Sequence, residues 1–209
     1  MRPVFEPQRP ARPRPAAVIA RSLVVAVCFP FAGLVVAATV EVSVTDGAGK
    51  PLHDAVVMLE PVSGALPVRP LNGVQISQVH RQFEPQVTVV TVGTAISFPN
   101  LDTVRHHVYS FSGVKNFELK LYSGVPAAPV VFDRPGIAVL GCNIHDQMVA
   151  WVVIVDTPFY GRTSAIGKAT IGAVAPGAYR LKTWHSSLAD ANAPVTRPSR
   201  SAAPTSPSR

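Results

Sequence analysis

Within residues 141–148, Gly-Cys-Asn-Ile-His-Asp-Gln-Met, three donor side chains recur at every third position: Cys142, His145 and Met148. A thiolate, an imidazole and a thioether are soft or borderline ligands. A copper ion that cycles between Cu(I) and Cu(II) is served by one thiolate, two imidazoles and a weak axial thioether. The octet holds three of those four groups, so a second imidazole must come from His53, His80, His106, His107 or His185. The same octet also fits a plain turn with a buried cysteine and a core methionine. Spacing alone leaves both readings open.

The elements around the octet read as strands. Val40, Val42 and Val44 alternate with polar residues and run into the turn cluster at residues 46–51. Further strand-like runs are Ala55–Val62, Val87–Phe98 broken at Gly93, His106–Phe111, Ala128–Asp133, Gly136–Gly141 and Met148–Asp156, with two more across residues 167–185. No stretch shows helical periodicity, and many short strands separated by turn signals predict an all-β sandwich or barrel. The octet then falls on the loop between two apolar strands.

The two ends differ from the middle. Arg2, Arg9, Arg12, Arg14 and Arg21 precede the apolar run at residues 22–36, and Val36-Ala37-Ala38 offers small residues at the cleavage positions. This is the pattern of a secretory signal peptide over residues 1–38, with cleavage expected after Ala38 and the product exported to the periplasm. The apolar run is shorter than the roughly 20 residues a spanning helix needs and contains a proline, so no membrane span is expected after processing. Val27 is too large for Cys28 to serve as a lipid-attachment site. Residues 187–209 form a Pro/Ser/Arg/Ala tail expected to be disordered.

Cleavage would leave Cys142 as the one cysteine, so no disulfide could form within the chain, and a lone thiol in an oxidising compartment calls for something to hold it. It would also remove five arginines and one glutamate, taking the 19 basic and 12 acidic side chains to 14 and 11. Three of the remaining arginines lie in the tail. The body is then close to neutral, which argues against nucleic acid as a partner.

The loop at residues 141–148 resembles the ligand loop of the cupredoxins, and its spacing is similar to the amicyanin type. The resemblance extends upstream through residues 87–108, where the distance from Asn100 to His106 matches, and through Phe132–Cys142; it covers about residues 75–156. It implies a Greek-key β-sandwich holding one type 1 (blue) copper ion through His106, Cys142, His145 and Met148. His106 takes the ligand place, and His107 stands where plastocyanin-like proteins carry Asn. Adjacent strand residues point to opposite faces, so one of the two is expected at the metal.

The flanks have a resemblance of their own. Residues 39–70 look like the opening, and residues 158–186 the closing strands, of a carboxypeptidase-regulatory-like β-sandwich into which the cupredoxin segment is inserted. The whole chain also resembles secreted bacterial proteins labelled methylamine utilization protein, a label that does not establish a role in methylamine metabolism.

No Gly-rich phosphate loop, nucleophile elbow or pair of carboxylates in a cleft is present, and a fully ligated copper centre has no free position for a substrate. The expectation is electron transfer with an unknown redox partner rather than catalysis. The alternative is a copper-binding or chaperone protein, or a partner-binding sandwich, without redox work.

Overall fold

The structure is a computed structural model that describes residues 37–188 and 194–198. Residues 1–36, where the expected signal segment falls, lie outside the described residues, as does most of the expected tail. Among the described residues there are strands and no helix, so the fold is all-β, as the turn-punctuated pattern implied. No helix there is long and apolar enough to cross a membrane.

The first flank contributes β1 (Ala38–Ser43) and β2 (Val56–Pro61). The middle of the chain contributes β3 (Val74–Gln75), β4 (Ser77–Val79), β5 (Gln82–Glu84), β6 (Val87–Thr91), β7 (Thr94–Ser97) and β8 (His106–Ser112). It continues with β9 (Lys115–Tyr122), β10 (Val130–Phe132), β11 (Gly136–Cys142) and β12 (Val149–Val155). The second flank adds β13 (Tyr160–Arg162), β14 (Lys168–Val174), β15 (Tyr179–Trp184) and β16 (Val195–Pro198).

The middle strands form a five-stranded sheet in the order β6-β12-β11-β8-β9, a three-stranded sheet β10-β7-β3, and the β4-β5 hairpin. The flanks pair with each other: β1 with β14, and β2 between β13 and β15 in the order β13-β2-β15-β16. No flank strand joins the five-stranded sheet. Strand β16 lies inside the segment expected to be disordered from residue 187. Its backbone pairs with β15, Val195 opposite Thr183 and Pro198 opposite Arg180. Such an edge pairing uses main-chain groups, which leave no apolar signature in a Pro/Ser/Arg sequence.

Three apolar layers separate these sheets, and the strand period of two decides which residue enters which layer. In β12, Ala150, Val152 and Ile154 face the cluster that also holds Ile96, Phe98, Phe132 and Leu140. The alternate residues Trp151, Val153 and Val155 face a second cluster, shared with Val56, Met58 and Trp184 of the flank strands. A strand covered on both faces reads as a continuous apolar run, and residues 149–155 are Val-Ala-Trp-Val-Val-Ile-Val. Strand β2 repeats the division: Val56 and Met58 enter that second cluster, while Val57 and Leu59 pack with Ala169, Ile171 and Val174 in a third. Trp151 and Trp184 meet across the second layer with ring centroids 6.2 Å apart.

Candidate metal centre

Two neighbouring strands and one loop build the site. Strand β8 alternates strictly: His106, Val108 and Ser110 are buried, and His107, Tyr109 and Phe111 face outward. Strand β11 runs antiparallel to it with Cys142 opposite Val108, which puts the thiol on the buried side within reach of His106. The chain then leaves the sheet. The Asn143 N–H donates to the His107 carbonyl at 3.2 Å, and the Met148 N–H closes a turn on the His145 carbonyl at 2.9 Å. This turn brings the His145 ring back over the strand ends.

His106, Cys142 and His145 each present a ligand atom, and these atoms all lie within 4.8 Å of one another. His106 Nδ1 is 3.7 Å from Cys142 Sγ, and the two imidazole rings meet edge to face at 5.1 Å. His106 and Cys142 are buried; His145 is half-buried. Met148, 1% exposed, packs in the same buried cluster as Cys142. Gly141 lies under the Tyr109 ring: a Cβ there would come within 2.6 Å of it and push the ring aside.

The proton on His106 can be placed. Its Nε2 lies 2.8 Å from Asp102 Oδ2. Burial pushes the Asp102 pKa up, but hydrogen bonds from the Arg81 N–H, the His106 ring and the His80 N–H outweigh it, so the carboxyl sits below its ordinary value. An ionised carboxylate only accepts, so Nε2 carries a hydrogen, and in the neutral ring Nδ1 then keeps its lone pair toward the thiol.

Asn100 ties the approach to β8 together. Its Nδ2 donates to the Val104 and Tyr122 carbonyls at 2.9 and 3.0 Å, and its Oδ1 accepts the Asp102 N–H at 3.0 Å. Tyr122, opposite His106 in the β8–β9 register, has its hydroxyl 2.7 Å from the Phe98 carbonyl and 2.9 Å from Gln78 Oε1. Burial, with a smaller push from the Cys142 charge against the Gln78 hydrogen bond, raises that phenol to about 12. It stays protonated.

The other histidines stand apart from the cluster. His107 turns to the outer face, with Nε2 2.8 Å from Glu118 Oε1 and its ring against Tyr109. His80 lies in the β4–β5 turn. His53 lies 3.3 Å from Asp54, and His185 Nε2 is 3.0 Å from the His53 carbonyl oxygen. Among the described residues, His106, Cys142 and His145 are the one such ligand group. Asp102 and the Gln78–Tyr122 pair carry no motif that marks them in the sequence.

The donors fit a metal. His145 Nδ1 is buried with no hydrogen-bond partner, and an unpaired buried polar atom costs roughly 1–3 kcal/mol. A buried imidazole nitrogen without a hydrogen-bond partner, set beside a second imidazole and a buried thiol, belongs to a nitrogen and sulfur donor set of the type copper takes.

No protein-family model and no curated protein matches the chain. Solved structures similar to it include the Cu-containing nitrite reductase of Thermus scotoductus SA-01, at 27% identity and TM-score 0.38, covering 46% of this chain and 25% of that one. The chain thus spans about a quarter of the reductase. A purple cupredoxin from Nitrosopumilus maritimus is 20% identical with TM-score 0.36, covering 39% of this chain and 99% of its own. A reduced Cu(I) amicyanin mutant is 17% identical with TM-score 0.37, covering 47% and 98%. The functional reading rests on the site.

Proposed function

We propose that this protein is a periplasmic electron carrier that holds one type 1 copper ion through His106, Cys142 and His145, with Met148 as the weak axial ligand. The observation that carries this reading is the convergence of two imidazoles and one thiol within 4.8 Å, two of the three groups buried. Copper, when bound, would carry one electron by cycling between Cu(II) and Cu(I). The chain's part is to hold the donors still. His106 and Cys142 sit on adjacent strands with both side chains on the buried face of the sheet, and the Asp102 contact keeps the His106 lone pair available. With four donors committed, no position is left for a substrate, so we propose a carrier rather than an enzyme. Voltammetry tests it: a reversible one-electron couple is expected from copper-loaded protein, and Cu(I) that cannot be reversibly oxidised would favour storage instead.

The division into a cupredoxin segment over 75–156 and a flanking sandwich over 39–70 and 158–186 belongs to the same reading. It is supported by the pairing of β1 with β14 and of β2 with β15.

The axial role of Met148 gives a signed prediction. Met148→Gln replaces a thioether by an amide oxygen, which favours Cu(II), so the potential is expected to fall. Met148→Leu removes a donor and leaves Cu(I) relatively favoured, so the potential is expected to rise. Voltammetry of both variants beside the parent checks the signs, and no shift in either makes Met148 a packing residue only.

Export is supported by the arginine-rich start, the apolar run after it and the small residues ending at Ala38. Mass measurement of the exported protein is expected to give an N-terminus at Thr39. An intact Met1 in the periplasmic fraction, or lipid on Cys28, contradicts that.

A further inference from the structure

Asp102 lies outside the ligand group, yet three donors converge on its carboxylate. Oδ1 accepts the His80 N–H at 2.7 Å, and Oδ2 accepts the Arg81 N–H at 2.9 Å while lying 2.8 Å from His106 Nε2. His80 and Arg81 are the two residues that turn β4 into β5, with φ of 51° and 59°. Both are in the left-handed region, where two-residue hairpin turns normally place Gly, Asn or Asp. A turn of this kind presents successive N–H groups to one anion. Here that anion is a side chain of the protein itself, and its free edge faces the buried histidine.

We propose that Asp102 is a positioning residue of the metal site: anchored on the β4–β5 turn, its carboxylate holds the Nε2 proton of His106, so that Nδ1 is kept as a donor beside Cys142 Sγ. The metal part of this rests on the copper reading above. A carboxylate behind a ligating imidazole fixes the ring's tautomer and orientation and raises its basicity. A stronger nitrogen donor stabilises Cu(II) more than Cu(I). The hairpin therefore reaches the site through one side chain, although none of its own residues belongs to the ligand group.

The test has a metal-free arm and a copper arm. In the metal-free parent, nitrogen-15 NMR is expected to find neutral His106 protonated on Nε2, with that proton slow to exchange. Asp102→Ala should speed the exchange and mix the tautomers. In copper-loaded protein, Asp102→Asn and Asp102→Ala should both shift the potential upward and weaken Cu(II) binding by roughly 10–100-fold. Asp102→Asn has nearly the same shape and keeps Oδ1 as the acceptor for the His80 N–H, losing only the oxygen that serves Arg81 and His106, so it gives the answer even if Asp102→Ala fails to fold. A parent His106 protonated on Nδ1, or a potential unchanged in Asp102→Asn, overturns the proposal. A parent that shows the Asp102-held Nε2 proton but takes up no copper overturns the functional reading and leaves the His106–Asp102 assignment standing.

Discussion

His106→Ala is expected to abolish the intense thiolate-to-copper absorption of the copper-loaded protein, whereas His107→Ala leaves it in place. The two residues are adjacent, so a general disturbance of the strand would affect both variants alike. They differ in what they face. His106 is fully buried, 0% exposed, with Nδ1 3.7 Å from Cys142 Sγ, while His107 is on the outer face, paired with Glu118. Losing an imidazole ligand should cost more affinity than the roughly 10–100-fold that follows from losing a group behind a ligand. Cys142→Ser should remove the absorption as completely, because a serine oxygen supplies no thiolate. Copper titration followed in the visible range checks all three. Loss of the band in His107→Ala with retention in His106→Ala reverses the ligand assignment.

The second large effect concerns stability. Trp184→Ala is expected to destabilise the protein by about 3–5 kcal/mol, the usual cost of deleting a buried aromatic. Trp184 is 0% exposed and lies in the layer between the five-stranded sheet and the β2–β15 sheet, against Trp151. For a chain of this size each kcal/mol lowers Tm by roughly 2–4 °C, so thermal unfolding should move down by about 10 °C. The copper band at room temperature should not change, since the ligands pack in a different cluster. A loss below about 1 kcal/mol, or a changed spectrum with unchanged stability, contradicts this division of the core.

Much of the site was legible because the loop carries three of its donors within eight residues, and local spacing survives folding. His106 was harder. Parity along β8 puts His107 with the larger apolar residues Tyr109 and Phe111, which taken alone marks that face as the buried one. In the structure those aromatics stack on each other on the outer side, with Phe111 71% exposed, and the Tyr109 ring closes over Gly141. The buried face is the smaller set His106, Val108 and Ser110. Asp102 was illegible for another reason: its partners His80 and Arg81 lie more than 20 residues away, brought near only by the pairing of the chain around Asn100.

The fold shows the same split. Strands with both faces covered, such as β12, announce themselves as continuous apolar runs. Strand β9 does not: it is the edge of its sheet, and Lys115, Glu118 and Lys120 interrupt its apolar residues. The short strands β3, β4 and β5 have two or three residues each, too few to show a period.

The visible spectrum of the purified protein during addition of Cu(II) tests the central claim most directly. An intense absorption that saturates at one copper per chain and vanishes on reduction is the result expected of a Cys142 thiolate bound beside two imidazoles. Copper uptake with only weak absorption, or no uptake at all, would contradict it.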